Sequence, residues 1–348
     1  MPINHKVLNI PFSLFCGILW SGNSHTKHLG VAIKEGNAMV QARRRRNWRR
    51  YLERHWELYL MLVLPVAFII IFNYIPMGGT ILAFKDFKIR KGIFGSPWAD
   101  MYGFENFVRF FSNYNFVSTL RNTIVLSVYS LIVNIPTAVL LALSLNYSRN
   151  VKFKKTVQMM SYFPYFISTI VIASMVNMLF NTRTGVLGRI YFSLTQSNIL
   201  ADPNAFAHLY VWSGVWQGVG FGAIIYLAAL SSVDPQLHEA ATIDGANVLQ
   251  RVWHIDLPTI APMVTIMLIL NMGSILGVGY EKVLAMQNQN NLSTSEVIST
   301  YSYKVSLAAS MPDFAYGTAI GLFQSVVGLF LVMISNKAAN KLTGNGFW

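Results

Sequence analysis

A histidine followed by a glutamate is the first group in this sequence whose residue types could do chemistry. The segment HEAAT (238–242) begins like the pattern HExxH, in which two histidines one helical turn apart bind a zinc ion. Thr242 occupies the position of the second histidine, and His254 lies too far along the chain to replace it. Cys16 is the only cysteine, which excludes an intrachain disulfide and a metal site built on several cysteines. The sequence therefore predicts neither a metal site nor a bound cofactor.

Groups that could supply energy are missing as well. The sequence contains no Gly-Lys dipeptide, so the GxxxxGKS/T loop that binds ATP phosphates is absent. The long apolar segments carry no Lys, Arg, Asp or Glu except Glu57 and Arg121 at their ends. Ion-coupled transporters usually place such groups near the middle of the bilayer. The sequence thus predicts no enzyme active site and disfavours an ion-coupled secondary transporter, which stays open as an alternative.

The composition is typical of a membrane protein with several spans. Of the 348 residues 53% are hydrophobic and 12% charged, and the mean hydropathy is +0.43, whereas soluble domains have about 25% charged residues. Pro65, Pro136 and Pro164 are expected to kink three spans, which neighbouring helices tolerate. About 20 apolar residues cross the hydrocarbon core, and the segments of this length are residues 57–75, 118–146, 157–180, 208–230, 259–280 and 314–335.

The distribution of Lys and Arg predicts the orientation. The densest basic cluster, RRRRNWRR (43–50), abuts the first span, and such runs typically meet anionic membrane lipid rather than nucleic acid. With six spans, both termini are then expected in the cytoplasm. The predicted division is a cytoplasmic extension (1–56), a membrane domain (57–336) and a cytoplasmic tail (337–348). Residues 1–38 are assigned no role.

One polar stretch, EAATIDGANVLQRVWHIDLPTIAP (239–262), interrupts the apolar pattern between the fourth and fifth spans. Asp234 as an N-cap and Pro235 as the first helical residue predict the start of a short helix over 236–243. The dipeptide formed by Asp244 and Gly245 predicts a turn after that helix.

A second short helix is expected over residues 246–254, ended by Leu257 and Pro258. Small residues give the pair a flat edge that another protein could approach closely, with two acidic residues beside it. An amphipathic helix lying on the membrane surface is the alternative. The edge and its charges comprise Glu239, Ala240, Ala241, Asp244, Gly245 and Ala246.

The motifs EAATIDGA and IDLPTIAP, in this order and spacing, resemble the EAA loop of permease subunits of binding-protein-dependent type I ABC importers. MYGFENFVRFF (101–111) and GYEKVLAM (279–286) resemble elements of the oligosaccharide and polysaccharide (maltose-permease-like) branch. The resemblance extends over residues 115–336. It implies an all-α polytopic membrane protein, the six-helix transmembrane subunit of such an importer. In it the EAA loop, residues 236–258, forms a cytoplasmic coupling helix.

The resemblance also implies partners and a role. The chain would be a transport subunit of the bacterial cytoplasmic (inner) membrane that hydrolyses no ATP itself. A second permease subunit would complete a heterodimer, two cytoplasmic ATP-binding subunits would dock on the coupling helices, and an extracytoplasmic solute-binding protein would deliver an oligosaccharide. An ion-coupled sugar transporter and an ABC permease for another small solute are the alternatives.

The substrate path is predicted in the fourth and fifth spans. Aromatic faces and amide or hydroxyl groups typically hold sugars, and WSGVWQGVGFGAIIY (212–226) supplies both. Helix packing is the alternative role for each residue. The polar loop QNQNNLST (287–294) is expected to be a disordered linker, or else a contact for the solute-binding protein. The predicted path residues are Trp216, Gln217, Gly218 and Phe221, which match a maltose-type pattern in part, with Asn271, Tyr280 and Glu281.

Overall fold

The computed structural model describes residues 54–344 and 346; the extension 1–38 and the basic cluster 43–50 lie outside these residues. The chain divides into two compact units, Met1–Met77 and Gly78–Trp348. Regular structure in the described residues is helical, apart from one isolated bridge between Lys85 and Trp98. The all-α prediction is confirmed.

The helices are labelled here in chain order. They are α1 Trp56–Ile69, α2 Glu105–Phe111, α3 Phe116–Tyr147, α4 Val151–Phe166, α5 Thr169–Leu179, α6 Val186–Thr195, α7 Pro203–Leu230, α8 Pro235–Ile243, α9 Val248–Gly273, α10 Tyr280–Met286, α11 Ile298–Tyr303 and α12 Phe314–Thr343. Shorter helical turns connect them.

Five helical stretches of the described chain are long and apolar enough to span a membrane: Trp56–Phe84, Phe116–Tyr147, Pro203–Leu230, Val248–Gly273 and Phe314–Lys341. They correspond to five of the six predicted spans. A sixth span exists if the bent pair α4 and α5 crosses the membrane as one unit.

The third predicted span, 157–180, is broken rather than gently kinked. Helices α4 and α5 meet at 100°. Pro164 lies in the 3-10 turn that ends α4, and Ile167 and Ser168 then adopt extended backbone angles. Proline has no N–H to continue the helical hydrogen bonds, so the chain leaves the helix and starts a new one. Pro136, in contrast, lies inside the continuous helix α3.

Close helix packing builds the core of the second unit. Ala142 and Ala223 are fully buried where α3 and α7 meet, together with Ile260 of α9. A Cβ added at Gly220 would lie 2.1 Å from the carbonyl oxygen of Ser161, so α7 touches the end of α4 backbone to backbone. Such contacts between small residues are typical of helix association in membranes.

The last helix extends further than expected. The predicted tail, 337–348, begins inside α12, which continues to Thr343. Gly344, at φ +69°, follows the helix in the left-handed conformation typical of a C-terminal glycine.

The loop 287–294 is folded, and the expectation of a disordered linker is wrong. Asn291 is buried, and its amide donates to the carbonyl oxygens of Leu200 (3.1 Å) and Met286 (3.2 Å). Thr294 donates its hydroxyl to the Pro203 carbonyl at 2.7 Å. The polar side chains of this loop therefore satisfy backbone groups at the start of α7.

Candidate functional site

The polar stretch begins as the sequence predicts. Asp234 accepts a hydrogen bond from the Gln236 amide at 2.9 Å, Pro235 is the first residue of α8, and the helix ends at Ile243. Gly245 adopts φ +79°, which glycine reaches without strain and which bulky residues disfavour, and so makes the expected turn. Residues 234–256 are called the coupling segment below, after the role that the family resemblance implies for them.

The second half of the coupling segment differs from the prediction. Its helix begins at Val248, where Asn247 and Gln250 form a reciprocal capping box. Pro258 does not end it, because the helix continues into the membrane span as α9. A wide π turn, Val252–Asp256, precedes the proline. Pro258 has no N–H to bond the carbonyl four residues before it, and its ring would crowd that carbonyl in a regular helix. The wider turn gives this carbonyl room.

The outer surface of the coupling segment is exposed and partly apolar. Of the residues predicted to contact a partner, Glu239, Ala240, Asp244 and Gly245 are exposed, while Ala241 and Ala246 are partly covered. Large apolar side chains flank them and also face outward, namely Leu237, Ile243, Val248, Leu249 and Trp253. Small residues bordered by apolar side chains are suited to contact with another protein.

A second candidate site is a cavity of about 360 Å³ between α3, α7 and α9. Two predicted path residues, Gly218 and Asn271, line it. A Cβ at Gly218 would have no atom within 4 Å, so the cavity wall is bare backbone there. This central cavity, as we call it, also has the polar side chains of Ser127, Ser130, Asn134 and Ser274 in its wall.

Trp216 lies elsewhere, in a cavity of about 690 Å³ that is lined mostly by apolar side chains of α5, α6 and α7. His208 and Trp212 share this side cavity. Successive helical residues point about 100° apart, so Trp216 and Gly218 face different directions from α7.

Gln217 and Phe221 make packing contacts. The Gln217 amide donates to the Ile167 carbonyl oxygen at 3.0 Å, at the break between α4 and α5. The ring of Phe221 stacks on Tyr165 with centroids 4.0 Å apart and planes at 5°. The four residues predicted together on α7 are therefore not brought together.

The two predicted residues at the start of α10 line neither cavity. Tyr280 stacks on Tyr303 with ring centroids 5.3 Å apart, and Glu281 is exposed.

The neighbouring residue Lys282 is buried, donates to the Tyr210 carbonyl oxygen at 2.9 Å, and lies over the Tyr210 ring. Burial lowers the pKa of Lys282 to about 8.

The family described as binding-protein-dependent transport system inner membrane component matches residues 134–343. These residues contain the coupling segment, both cavities' α7 walls and the last span. The chain belongs to this family.

Named relatives and solved structures agree with that membership. The permease is 37% identical over 304 residues to protein LplB of Bacillus subtilis strain 168, covering 87% of this chain and 94% of the relative. It is 38% identical over 293 residues to the polygalacturonan/rhamnogalacturonan transport system permease protein YteP of the same organism, covering 84% and 90%.

One structural neighbour is a chain of a bacterial ABC transporter involved in the import of the acidic polysaccharide alginate. It superposes with a TM-score of 0.76 at 34% identity, covering 86% of this chain and 99% of that one. A chain of the alginate transporter in complex with an alginate pentasaccharide-bound periplasmic protein gives 0.75 at 33%, covering 85% and 98%.

These matches confirm the resemblance predicted from the EAA loop and the fold class that it implied. The permease is a multi-pass inner-membrane subunit of an ABC importer.

The sequence prediction does not include two residues that the structure makes candidates for a role. Asp256, within the IDLP motif, is fully buried, and the sequence signal for it is a lone carboxylate between isoleucine and Leu-Pro. Lys282, inside the quoted motif GYEKVLAM, is a cation directly before the apolar run VLAM (283–286).

Proposed function

We propose that the permease imports an oligosaccharide or polysaccharide fragment by alternating access, with the central cavity as part of the path. The composition of the cavity wall is the main observation that supports this proposal. Its wall combines hydroxyl and amide groups with the bare backbone at Gly218, and such groups can replace the water around a sugar. One relative is a polygalacturonan/rhamnogalacturonan transport permease, and one structural neighbour is a chain of a transporter that imports alginate.

The energy would come from partner subunits. The exposed edge of α8 would dock on one of two ATP-binding subunits, with Glu239 and Asp244 fixing the register. ATP binding closes these subunits, the coupling segments of the two permeases follow, and the paired permeases open outward. Hydrolysis returns them to the inward-facing state.

The permease would work with two further proteins. One is a second, different permease subunit that completes the path. The other is an extracytoplasmic solute-binding protein, in keeping with the alginate transporter solved together with its periplasmic protein.

The bent pair decides whether this arrangement is possible. With the N-terminus in the cytoplasm, α8 reaches the cytoplasmic side only if α4 and α5 together cross the membrane. Reporters inserted after Tyr147 and after Thr195 should then give opposite signals, because these positions flank the pair. Equal signals would make the pair a re-entrant loop and place α8 outside, which would overturn the coupling role.

The function is tested with the complete importer. An affinity-tagged permease is purified in mild detergent, and mass spectrometry of the complex should find a second permease and two ATPase copies. After reconstitution into vesicles with the binding protein, we expect ATP-dependent uptake of pectic or alginate oligosaccharides. Uptake driven by an ion gradient without ATP would identify a secondary transporter. ATP-dependent uptake restricted to a small solute that is not a sugar would identify another kind of ABC permease.

A further inference from the structure

Asp256 is a fully buried carboxylate in the π turn at the start of α9. Its Oδ2 accepts a hydrogen bond of 2.6 Å from the hydroxyl of Tyr147, the last residue of α3. The short distance is typical of a hydroxyl that donates to a charged oxygen. The cytoplasmic ends of α3 and α9 are thus joined through one carboxylate.

The other oxygen of the carboxylate faces the coupling helix. Oδ1 of Asp256 lies 3.3 Å from Nε2 of His238 in α8, and the two groups form an ion pair when the histidine carries a proton. The His238 ring also packs edge to face on the ring of Tyr147, with centroids 6.3 Å apart. Asp256 therefore touches side chains of two other helices, one with each oxygen.

A second bond holds the same face of α8. Arg251, four residues into α9, donates from Nη1 to the Thr242 hydroxyl at 2.8 Å, and its guanidinium lies 5.8 Å from the Tyr147 ring centroid. His238 and Thr242 are spaced i and i+4 on α8, so they lie on one face, one turn apart. The two ends of the zinc-like HEAAT pattern are thus both attachment points to α9.

The opposite, outward edge of α8 carries the residues proposed to meet the ATPase. A buried charge is costly unless it is bonded, and a broken bond leaves it unpaired. Displacing α8 alone would separate Asp256 from His238, an ion-pair contact without a hydrogen bond, and Arg251 from the Thr242 hydroxyl. We therefore expect α8 to move together with the end of α9, and with the end of α3 that Tyr147 joins to it. Those two helices form walls of the central cavity.

We infer that Asp256 is the positioning residue that transmits the displacement of α8 to the helices around the central cavity. The inference rests on the proposed coupling function of α8. It assigns a role to a buried group between docking surface and path that contacts neither substrate nor ATPase.

The test uses the complete importer in vesicles and measures sugar imported per ATP hydrolysed. Asp256→Asn keeps the shape but removes the charge that both partners face. We expect the ATPase to stay bound and to hydrolyse ATP, while import per ATP falls about tenfold, the size expected for a lost bond to a charged group. The matched control is Asp234→Asn, which removes a carboxylate from the same segment but keeps an equally good helix cap. It should behave like the parent.

Tyr147→Phe removes only the hydroxyl, and it decides the question if Asp256→Asn fails to accumulate. It should lower import per ATP without releasing the ATPase. In the double variant the two effects should not add, because both changes break one contact. His238→Gln, which keeps an N–H donor, should retain more coupling than His238→Leu.

Unchanged import per ATP in Asp256→Asn or in Tyr147→Phe would overturn the inference. So would a fall that only follows a lower melting temperature, because a purely structural role predicts fewer intact complexes and not fewer sugars per ATP. Failure of the proposed function is distinguishable, since the parent complex would then contain no ATPase.

Discussion

In the coupling segment one buried carboxylate contacts side chains of two other helices, whereas the amides of the central cavity bond within their own helices. Asn134 donates to Ser130 and Asn271 to Met267, each four residues back, although the Ser127 hydroxyl in the same wall donates across helices to the Ile275 carbonyl oxygen. Cross-helix bonds hold separate elements in one geometry, while bonds within a helix leave neighbouring helices free to shift. Under the proposed function, the docking surface would need bonds of the first kind to transmit force, and the path would need more of the second kind to open and close.

The largest effect is expected from a change at the exposed surface of the coupling segment. Gly245→Trp places a bulky side chain at φ +79°, where a non-glycine residue costs about 1–2 kcal/mol, and blocks close approach of a partner. We expect ATP-dependent uptake to be lost while the chain still inserts in the membrane. Gly245→Asn is the control, because asparagine tolerates this conformation and stays small. Parental uptake in the tryptophan variant would assign α8 to the membrane surface instead.

The next largest effect is expected from a change in the wall of the central cavity. Gly218→Leu fills the wall of the central cavity where a Cβ would meet no atom within 4 Å, so uptake should fall strongly with little change in melting temperature. Gly220→Ala is the matched opposite, since its Cβ would lie 2.1 Å from a backbone oxygen and should destabilise the fold. Normal uptake by Gly218→Leu would remove the cavity from the path.

A charge reversal should have a smaller effect on assembly. Glu239→Lys changes the sign of one exposed charge on α8, and exposed charges typically contribute up to about 1 kcal/mol to a contact. We expect less ATPase to co-purify, with a dependence on salt concentration. On a membrane surface the same lysine would favour anionic lipid, so co-purification equal to the parent contradicts docking through this residue.

Gln217 separates packing from sugar contact on α7. Gln217→Leu removes the hydrogen bond to Ile167 and should lower stability by about 1 kcal/mol, measured as a lower melting temperature. The apparent affinity for the saccharide should not change. A weaker affinity with an unchanged melting temperature would return Gln217 to the path.

The smallest effect is a pH dependence at Lys282. Burial lowers its pKa to about 8, against about 10.4 in the unfolded chain. Between these values the unfolded chain binds more protons, so stability should rise as the pH increases from 8 towards 10. The melting temperature of Lys282→Met should lack this rise. Equal pH profiles of the two proteins would contradict a buried, charged lysine.

The sequence predicted helix caps and turns correctly, because these features depend on interactions among a few neighbouring residues. The cap at Asp234 and the turn at Gly245 depend only on the adjacent backbone. The family resemblance indicated residue types on α7 that are suited to a sugar, but the orientation of each side chain around α7 depends on which helices surround it. Trp216, Gln217 and Gly218 therefore face three different surroundings, although they are consecutive in the chain.

Long-range partners account for the other differences. The loop 287–294 looks disordered by composition, yet Asn291 bonds Leu200, a residue far away in the chain. The π turn before Pro258 and the contacts of Asp256 likewise depend on packing that no local pattern reports.

The length of α5 sets a condition on the bilayer. Its 11 residues rise about 16 Å, roughly half of the 30 Å hydrocarbon core. When α5 runs along the membrane normal, the break at Ile167 lies about half a core thickness from the C-terminal end of α5, where lipid tails can bond no carbonyl. The Gln217 side chain then takes the place of water for the Ile167 carbonyl oxygen, so this one backbone group of the interrupted helix needs no water from the bilayer.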